Sequence, residues 1–570
     1  MKLCGLLLAS VTLASAFSSL SSSSPYSRSL GLSNDSGDNG PERRKAIVVG
    51  GGPVGLATAL TLSNAPHSYD VTLIEQSADA SGYDPTKAYL YLVNPRGQVW
   101  TKRFPRVQEL LEELGSLNTG MGNFVTVPAD PSVPIPDKIP AASGEKSYWI
   151  PRNAMVGVLE TVIQEQEGRR LAGDDIGAVN VLPYKQCISL TSINDGRIQV
   201  TVLDVRDPQV RFEQSFVVDL VVGADGMNSA VRNYLSNPPA DAPTDWLTEN
   251  PRKFRVHSWA SAASGLRMKV LQFPPAFVIP PSTAATDSET IYAIRSVNTG
   301  PTDYISLGLL PVKDPTMVRP TNVITRPNHD LLRVKGADDT KAWFQKAFPR
   351  LNFEAMIDDA EWQRFSTAQG TTFPKCQYCA GMQVTHPSGN TGVVLVGDAL
   401  HAFPPDIGQG INAGLADVES LDRALRGKDI ITGEDQDKKP QNLAQALQTY
   451  ERVRSPEIKS LIRLARFGSP YQYRQPCYRD RVGRILWSAN AAFRLLLNKV
   501  SGGKIPPAAI MMAMDRSKTY RQLMRQCDIT TATLWSALAI LVHQIWGTVT
   551  LGTCTLIAMG MWTLTYWFGK

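Results

Sequence analysis

The sequence has no concentration of positive or negative charge. Its 58 Lys and Arg residues against 52 Asp and Glu residues leave a net charge of only +6 over 570 residues, and they form no long basic run. Nucleic-acid binding relies on a clustered basic patch, so nucleic acid is not a predicted partner. A charged fraction of 19% beside a hydrophobic fraction of 43% excludes a disordered or coiled-coil chain for most of the length. The composition therefore predicts a globular protein with a core.

Cysteine is also scarce, with seven residues at irregular spacing. An odd number spread in this way does not form the framework of a disulfide-stapled domain. Cys376 and Cys379 form one Cys-x-x-Cys pair, but only His386 lies close enough in sequence to join them in a zinc site. We interpret the pair as ordinary reduced cysteines before a strand. No metal site, catalytic triad or other catalytic side chain is predicted.

The N-terminal residues have the features of a targeting leader. An apolar run, Leu3–Leu13, precedes the small residues of an Ala14-Ser15-Ala16 cleavage site, which predicts a signal peptide over residues 1–16. Residues 17–44 begin as a Ser-rich stretch whose first part has no acidic residue, which is typical of a transit peptide or linker. The pair resembles the bipartite plastid leader of algae with secondary plastids. The alternative is a secretory signal followed by a spacer, which would place the protein at a membrane of the secretory pathway or the endoplasmic reticulum.

Charge is absent again at the C-terminus, where no charged residue occurs between Asp528 and Lys570. The runs Thr531–Trp546 and Leu551–Phe568 are apolar, and a helix needs about 20 such residues to cross a bilayer. We therefore predict a helical linker over 471–528 and a membrane segment over 529–570 that contacts lipid. The alternative is a helix buried against the soluble body.

The first structured segment predicts a nucleotide-binding unit. A β-branched strand from Lys45 ends in Gly50-Gly51-Gly52-Pro53-Val54-Gly55, a helix follows, and a second strand ends at Glu75. In such a GxGxxG unit, Gly50 permits the turn, Gly52 lets the backbone approach a pyrophosphate, and Gly55 lets helix and strand pack closely. The helix N-terminus attracts the phosphates, and the acid can bind a ribose hydroxyl. This unit alone does not separate FAD from NAD.

Two later segments resemble the first in arrangement. A buried strand ends in Asp225-Gly226, and a third strand ends in Gly397-Asp398 before a second glycine-rich turn and a helix. The turn contains Gly410, Ile411 and Asn412. These ordered motifs resemble those of the class A flavoprotein monooxygenases, the para-hydroxybenzoate-hydroxylase-like family. The resemblance runs from about residue 45 to about residue 466, where a Tyr-x-x-x-Arg helix is also similar.

The resemblance implies FAD as the cofactor, with Asp398 at the ribityl hydroxyls and the helix from Gly410 pointing its N–H groups at the flavin. Within the family the sequence is most similar to the kynurenine 3-monooxygenases, which implies an FAD contact for Arg152. Their substrate-binding arginine corresponds by position to Lys87, and their two phenylalanines after the His401 turn are replaced by Asp406 and Ile407. The flavin site is therefore well matched and the substrate site is not.

These observations predict an α/β protein. A Rossmann-like FAD-binding domain, formed by about 45–160, 185–235 and 380–470, is interleaved with a β-sheet substrate domain over about 255–375, all within a monooxygenase body spanning 45–470. The expected activity is hydroxylation of a small, aromatic substrate with NADPH or NADH and O2. A reductase of the geranylgeranyl-reductase type acting on a lipid and a non-catalytic flavin-binding membrane protein are the alternatives.

Overall fold

A computed structural model describes residues 43–78, 82, 89–118, 124–137, 145–240, 242–298, 305–435, 440–468 and 478–546. The predicted signal peptide, most of the transit stretch, Lys87 and the second apolar run of the tail lie outside these residues.

The strands, in chain order, are β1 (Lys45–Val49), β2 (Asp70–Ile74), β3 (Leu90–Val93), β4 (Ser116–Asn118), β5 (Phe124–Val127), β6 (Ser147–Pro151), β7 (Val179–Leu182), β8 (Lys185–Ser192), β9 (Ile198–Asp204), β10 (Phe212–Val218), β11 (Leu220–Gly223), β12 (Val256–Trp259), β13 (Arg267–Phe273), β14 (Ile291–Arg295), β15 (Ser306–Leu309), β16 (Arg319–Thr325), β17 (Thr371–Thr372), β18 (Cys376–Cys379), β19 (Gln383–Thr385), β20 (Gly392–Leu395) and β21 (His401–Ala402). The α-helices are α1 (Pro53–Ser63), α2 (Gln98–Thr101), α3 (Pro105–Leu114), α4 (Arg152–Leu171), α5 (Ala230–Ser236), α6 (Ala337–Ala347), α7 (Phe353–Met356), α8 (Asp359–Thr367), α9 (Gly410–Arg426), α10 (Leu443–Phe467), α11 (Tyr478–Val500) and α12 (Tyr520–Trp546).

The first six-stranded sheet has the order β19-β20-β11-β1-β2-β7. Its strands pair in parallel from β20 to β7, and only β19 is antiparallel. The central strands are short runs of Val, Ile and Leu that are buried along most of their length, as strands covered on both faces must be. Because the carboxyl ends of parallel strands share one edge, the three sequence motifs meet there.

The second six-stranded sheet has the order β17-β13-β16-β15-β14-β5. One cluster of apolar side chains packs this sheet against α6, α7 and α8, and within it the Phe344 ring lies nearly edge to face with Phe353 and Phe365. Strand β5, far upstream in sequence, joins the sheet by parallel pairing with β14. This sheet occupies most of the region predicted for the substrate domain. Three smaller sheets, β10-β9-β8, β12-β18-β21 and β3-β6-β4, complete the fold.

Helices α10, α11 and α12 follow α9, the helix after the third motif. Helix α10 packs along α9, and α12 packs along α10, which brings the C-terminal part of the chain onto the nucleotide-binding unit. Within the described residues, no helix is long and apolar enough to cross a membrane. The predicted spanning segment is therefore not found among them, and residues 547–570 lie outside the description.

Candidate functional site

The first glycine-rich turn contains glycines of two kinds. A Cβ atom on Gly50, whose φ is +108°, would lie 2.5 Å from the Ala224 carbonyl oxygen, and one on Gly55 would lie 1.9 Å from the Gly50 carbonyl oxygen. Both positions exclude a side chain because of the protein's own backbone. Gly52 differs, because its φ of −71° and ψ of 174° suit any residue and its Cβ would meet nothing within 4 Å. Packing does not require this glycine, whereas a closely approaching ligand would.

Glu75 lies directly after β2 and faces the same turn. Its Oε2 accepts a hydrogen bond of 2.6 Å from the Gly51 amide, and its Oε1 accepts one of 2.7 Å from the Ser77 amide. The carboxylate thus holds the turn in shape. Because a carboxylate has about four acceptor positions, it retains capacity for the ribose hydroxyl predicted from sequence.

The second motif begins with Asp225, at the end of β11. Its Oδ2 accepts hydrogen bonds from the Ala230 and Val231 amides at the start of α5, at 2.6 and 3.2 Å. Its Oδ1 is buried and has no hydrogen-bond partner among the residues that the structure describes. Burial raises the pKa of this carboxyl, and the unpaired oxygen marks a place for an external donor.

The third motif places Asp398 beside the first. A Cβ on Gly397 would lie 3.0 Å from Val54 of the first turn, so the two motifs are in contact. Burial raises the pKa of Asp398, yet the residue is exposed to solvent. A carboxylate that is deep in the protein and still accessible lies on the wall of a cleft. No hydrogen bond from any described group reaches it, so it is available to a ligand's hydroxyls.

Asp417 connects this motif to α10. The His401 Nε2 lies 2.7 Å from its Oδ2, which also accepts a 2.8 Å bond from the Gly397 amide, and the Arg454 Nε donates to its Oδ1 at 2.6 Å. Burial favours the neutral acid, but Arg454 and His401 outweigh burial and lower the pKa of Asp417. His401 is itself buried, behind the loop. This network ties the Tyr-x-x-x-Arg helix to the Gly397-Asp398 turn.

The glycine-rich turn before α9 presents backbone rather than side chains. Gly410 is the first helical residue, is exposed, and its Cβ would meet nothing within 4 Å. Ile411 and Asn412 are buried, and the Asn412 amide group donates to the Leu92 carbonyl and accepts from the Asn94 amide. This turn can therefore bind a ligand through the N-terminal N–H groups of α9 and their partial positive charge.

Arg152 begins α4, and its amide donates a 3.0 Å hydrogen bond to the Tyr89 carbonyl. Both Arg152 and Asp398 act electrostatically on the hydroxyl of Tyr91, whose pKa burial raises well above its usual value. Arg152 is thus within reach of the cleft that Asp398 lines. Lys87, the predicted substrate ligand, lies outside the described residues.

The C-terminal segment also reaches this turn. Gln409, which caps α9, accepts a 2.7 Å hydrogen bond from the Tyr520 hydroxyl, and both residues are buried. Arg96 lies over the Tyr520 ring at 4.3 Å and donates to the carbonyls of Ala513 and Lys518, each at 2.7 Å. The Gln409 Nε2 has no partner among the described groups although it is buried.

Asp406 replaces a phenylalanine of the resembled enzymes and lies in the turn before Gln409. Its Oδ1 is buried and, within the described part of the chain, unpaired, and burial raises its pKa to about 7. It also lies within electrostatic reach of the buried Cys376 thiol. The turn therefore carries a carboxyl group that changes charge near neutral pH.

Sequence reasoning missed Asp417, Gln409 and the Tyr520 contact as parts of this site. Asp417 had a detectable signal, because it shares one face of α9 with Ala413 and Gly414, a stripe of small residues in which an acid must find a partner. Tyr520 had none, since it is more than a hundred residues from Gln409.

The cleft fits FAD. It combines a turn open to a pyrophosphate at Gly52, an accessible acid at Asp398, the N-termini of α1 and α9, and unpaired polar atoms on Asp225 and Gln409. Fold and site together define a flavoprotein of the class A monooxygenase type.

Residues 43–465 match the protein family described as "FAD binding domain", and the chain belongs to this family. It is similar to a kynurenine 3-monooxygenase of Phaeosphaeria nodorum, with 28% identity over 268 residues that cover 45% of this chain and 44% of the relative. It is also similar to monooxygenase asqM of Emericella nidulans, with 26% identity over 456 residues that cover 74% of this chain and 93% of the relative. The solved structure of CtdE with FAD and a substrate aligns at a TM-score of 0.49 and 13% identity, covering 87% of this chain and 100% of that one.

Proposed function

We propose that this protein uses NADPH or NADH and O2 to hydroxylate a small, aromatic substrate. The observation that carries the proposal is the joint presence of Gly52, open to a ligand, and Asp398, deep yet accessible, at one edge of the parallel sheet. The relatives named monooxygenases support the oxygen-transferring reaction over a reductase or a non-catalytic flavoprotein.

When bound, FAD accepts reducing equivalents from the nicotinamide and supports the transfer of one oxygen atom from O2. The chain's own groups supply the rest. The turn around Gly52 and the N-terminus of α1 would hold the pyrophosphate, and Asp398 would accept hydrogen bonds from the ribityl hydroxyls. The N-terminus of α9, at Gly410, favours negative charge on the reduced ring. The sheet that contains β13–β16 covers the substrate and limits the access of water.

The substrate class is inferred from the name of a relative and from the position of Lys87. Kynurenine is an aromatic amino acid, and the name of one relative points to this class. If Lys87 takes the place of the substrate-binding arginine, the substrate also carries an anionic group. Changing Lys87 to Ala should then raise KM for such a substrate and leave the FAD content unchanged.

The experiment that tests the reaction is simultaneous measurement of NADPH oxidation and O2 consumption during a screen of small aromatic acids. A monooxygenase consumes NADPH and O2 in equal amounts and forms one hydroxylated product per cycle. Substrate-stimulated NADPH oxidation without O2 uptake would instead indicate a reductase, and FAD binding without turnover under any condition would indicate a non-catalytic protein.

We also propose that residues 529–570 attach the enzyme to a membrane and that the leader directs it to a plastid, or else to the secretory pathway. The support is the uncharged sequence after Asp528 and the leader's composition. Extraction of membranes with carbonate tests the attachment, because a spanning segment stays in the pellet and a peripheral one is released.

A further inference from the structure

Helix α11 turns its apolar side away from the protein. Five large apolar side chains of this helix are exposed to the extent of 50% or more, and together they are called the α11 face: Ile485 (65%), Leu486 (64%), Phe493 (50%), Leu496 (57%) and Val500 (78%). With about 3.6 residues per turn, these positions fall on one side of the helix. A surface helix of a globular protein normally buries such a side.

The opposite side of α11 holds the helix on the protein through polar groups. The Trp487 indole N–H donates to the Phe467 carbonyl at 3.0 Å, and the Asn498 amide donates to the Ile505 carbonyl at 2.7 Å. Arg494, only 6% exposed, points inward and donates to the Thr531 hydroxyl of α12. The helix is therefore fixed in an orientation that buries polar groups and exposes apolar ones.

The charge along α11 is mostly basic, with Asp480 in the first turn of the helix as its one acid. From Arg481 to Met514 the sequence contains no Asp or Glu. It contains five basic residues, of which four are exposed: Arg481, Arg484, Lys499 and Lys504. An apolar helix face accompanied by basic residues fits the boundary between the headgroups and acyl chains of an anionic bilayer.

A second copy of the chain fits this surface less well. A two-fold contact would bring the basic residues of two α11 helices together, with no acid between Arg481 and Met514 to pair with them. The neighbouring helix adds further apolar surface instead, at Ile529 (56% exposed) and Ile540 (59%), and then leads into the uncharged C-terminal residues.

We propose that α11 lies in the plane of an anionic membrane surface, with the α11 face inserted among the lipids and Arg481 and Lys499, which flank this face, at the headgroups. This attachment needs no helix that crosses the bilayer. It belongs to the described part of the chain and is independent of whether residues 547–570 also anchor the protein. It would hold the flavin-binding body at a constant orientation to the membrane.

Flotation of the purified full chain with lipid vesicles tests the proposal. One set of vesicles contains phosphatidylcholine alone, and the other contains phosphatidylcholine with phosphatidylserine. The wild type should bind the second set more tightly. The double variant Ile485→Glu/Phe493→Glu should bind it about tenfold more weakly or not at all, because two buried apolar contacts are replaced by repelled charges. The matched control Leu171→Glu/Val210→Glu changes residues that are 73% and 58% exposed elsewhere, and it should bind like the wild type.

A second variant separates charge from apolar insertion. Arg481→Glu/Lys499→Glu should lose the preference for phosphatidylserine and keep the binding to phosphatidylcholine. Thermal unfolding confirms that each variant is folded, and no turnover is measured, so a failure of the proposed reaction leaves this test intact. Two results would overturn the proposal. One is flotation of the Ile485→Glu/Phe493→Glu variant at wild-type affinity, which would assign binding to the tail. The other is a wild type that ignores vesicles but forms a dimer that this variant dissociates, which would assign the face to a second copy.

Discussion

Gly52 is a position where a substitution should weaken FAD binding without destabilising the fold. Its backbone angles suit alanine, and an added Cβ meets no atom within 4 Å. Gly52→Ala should therefore change the free energy of unfolding of the apoprotein by no more than about 1 kcal/mol. The loss of backbone freedom in the unfolded chain stabilises, whereas alanine is a poorer residue than glycine at a helix N-cap, and the two effects offset each other. At Gly55 the added Cβ would lie 1.9 Å from a backbone oxygen, so Gly55→Ala should cost about 3 kcal/mol or more.

Substitution of Gly52 should lower the affinity for FAD although it leaves the stability of the apoprotein nearly unchanged. Charge-assisted hydrogen bonds between a pyrophosphate and backbone amides contribute about 1.5–3 kcal/mol each, so losing one weakens binding about 10- to 100-fold. Gly52→Ala should show this loss, and Gly52→Val a larger one, while the apoprotein stays folded.

Two titrations measure these quantities, namely urea unfolding of the apoprotein and FAD titration followed by flavin fluorescence. Gly168→Ala in α4 is the control, since its Cβ also meets nothing within 4 Å but the site does not include it. A Gly52→Val protein that binds FAD like the wild type would refute the assignment. So would a Gly52→Ala apoprotein as unstable as the Gly55→Ala one.

Three further predictions concern the acids of the site. Asp398→Ala should weaken FAD binding about tenfold or more. It should change the unfolding free energy of the apoprotein by no more than about 1 kcal/mol, because no described group hydrogen-bonds to the Asp398 carboxylate. Equal losses in both titrations would make Asp398 a structural residue. Asp417→Asn should cost about 3–5 kcal/mol in urea unfolding at pH 7, because it leaves Arg454 buried without its partner, and a loss below about 1 kcal/mol would contradict the network. The pKa of Asp406 rises from 3.8 to about 7 on folding, so the unfolded chain ionises first and the wild-type apoprotein loses stability between about pH 4 and 7. Asp406→Asn should remove this loss, which is at most about 4 kcal/mol and is reduced by partial exposure. In urea unfolding the variant should therefore be more stable than the wild type at pH 8 but not at pH 4. An equal difference in stability at both pH values would contradict the raised pKa.

The central sheet and its ligand-binding edge could be predicted from sequence because their signals are local. A buried parallel strand is a short apolar run, and the glycines and acids that follow it occupy fixed positions relative to its end. Once three such runs are assigned to one sheet, Gly52, Asp225 and Asp398 must share an edge, whatever the length of chain between them. The structure confirms the α/β FAD-binding fold on this basis.

The contacts between distant segments could not be predicted in the same way. Nothing in the sequence near Arg96 indicates that its guanidinium binds the carbonyls of Ala513 and Lys518. Likewise, strand β5 completes the second sheet by pairing with β14, although more than 160 residues separate them. Such pairings depend on how distant elements pack against each other, and this packing cannot be predicted from hydrophobic periodicity.

The hydrogen bond between Tyr520 and Gln409 connects the C-terminal helices with the glycine-rich turn before α9. Tyr520 begins α12, and Gln409 caps α9, the helix whose N-terminus we propose to favour negative charge on the flavin. Arg96 holds the segment that precedes α12, so a displacement of α12 would strain two sets of contacts with the nucleotide-binding unit. Helix α11 is in turn joined to α12 through Arg494 and Thr531. If α11 rests on a bilayer, the same rigid contacts set the direction in which the substrate cleft faces. They make the C-terminal helices part of the flavin site's support, so their removal should lower FAD affinity as well as membrane binding.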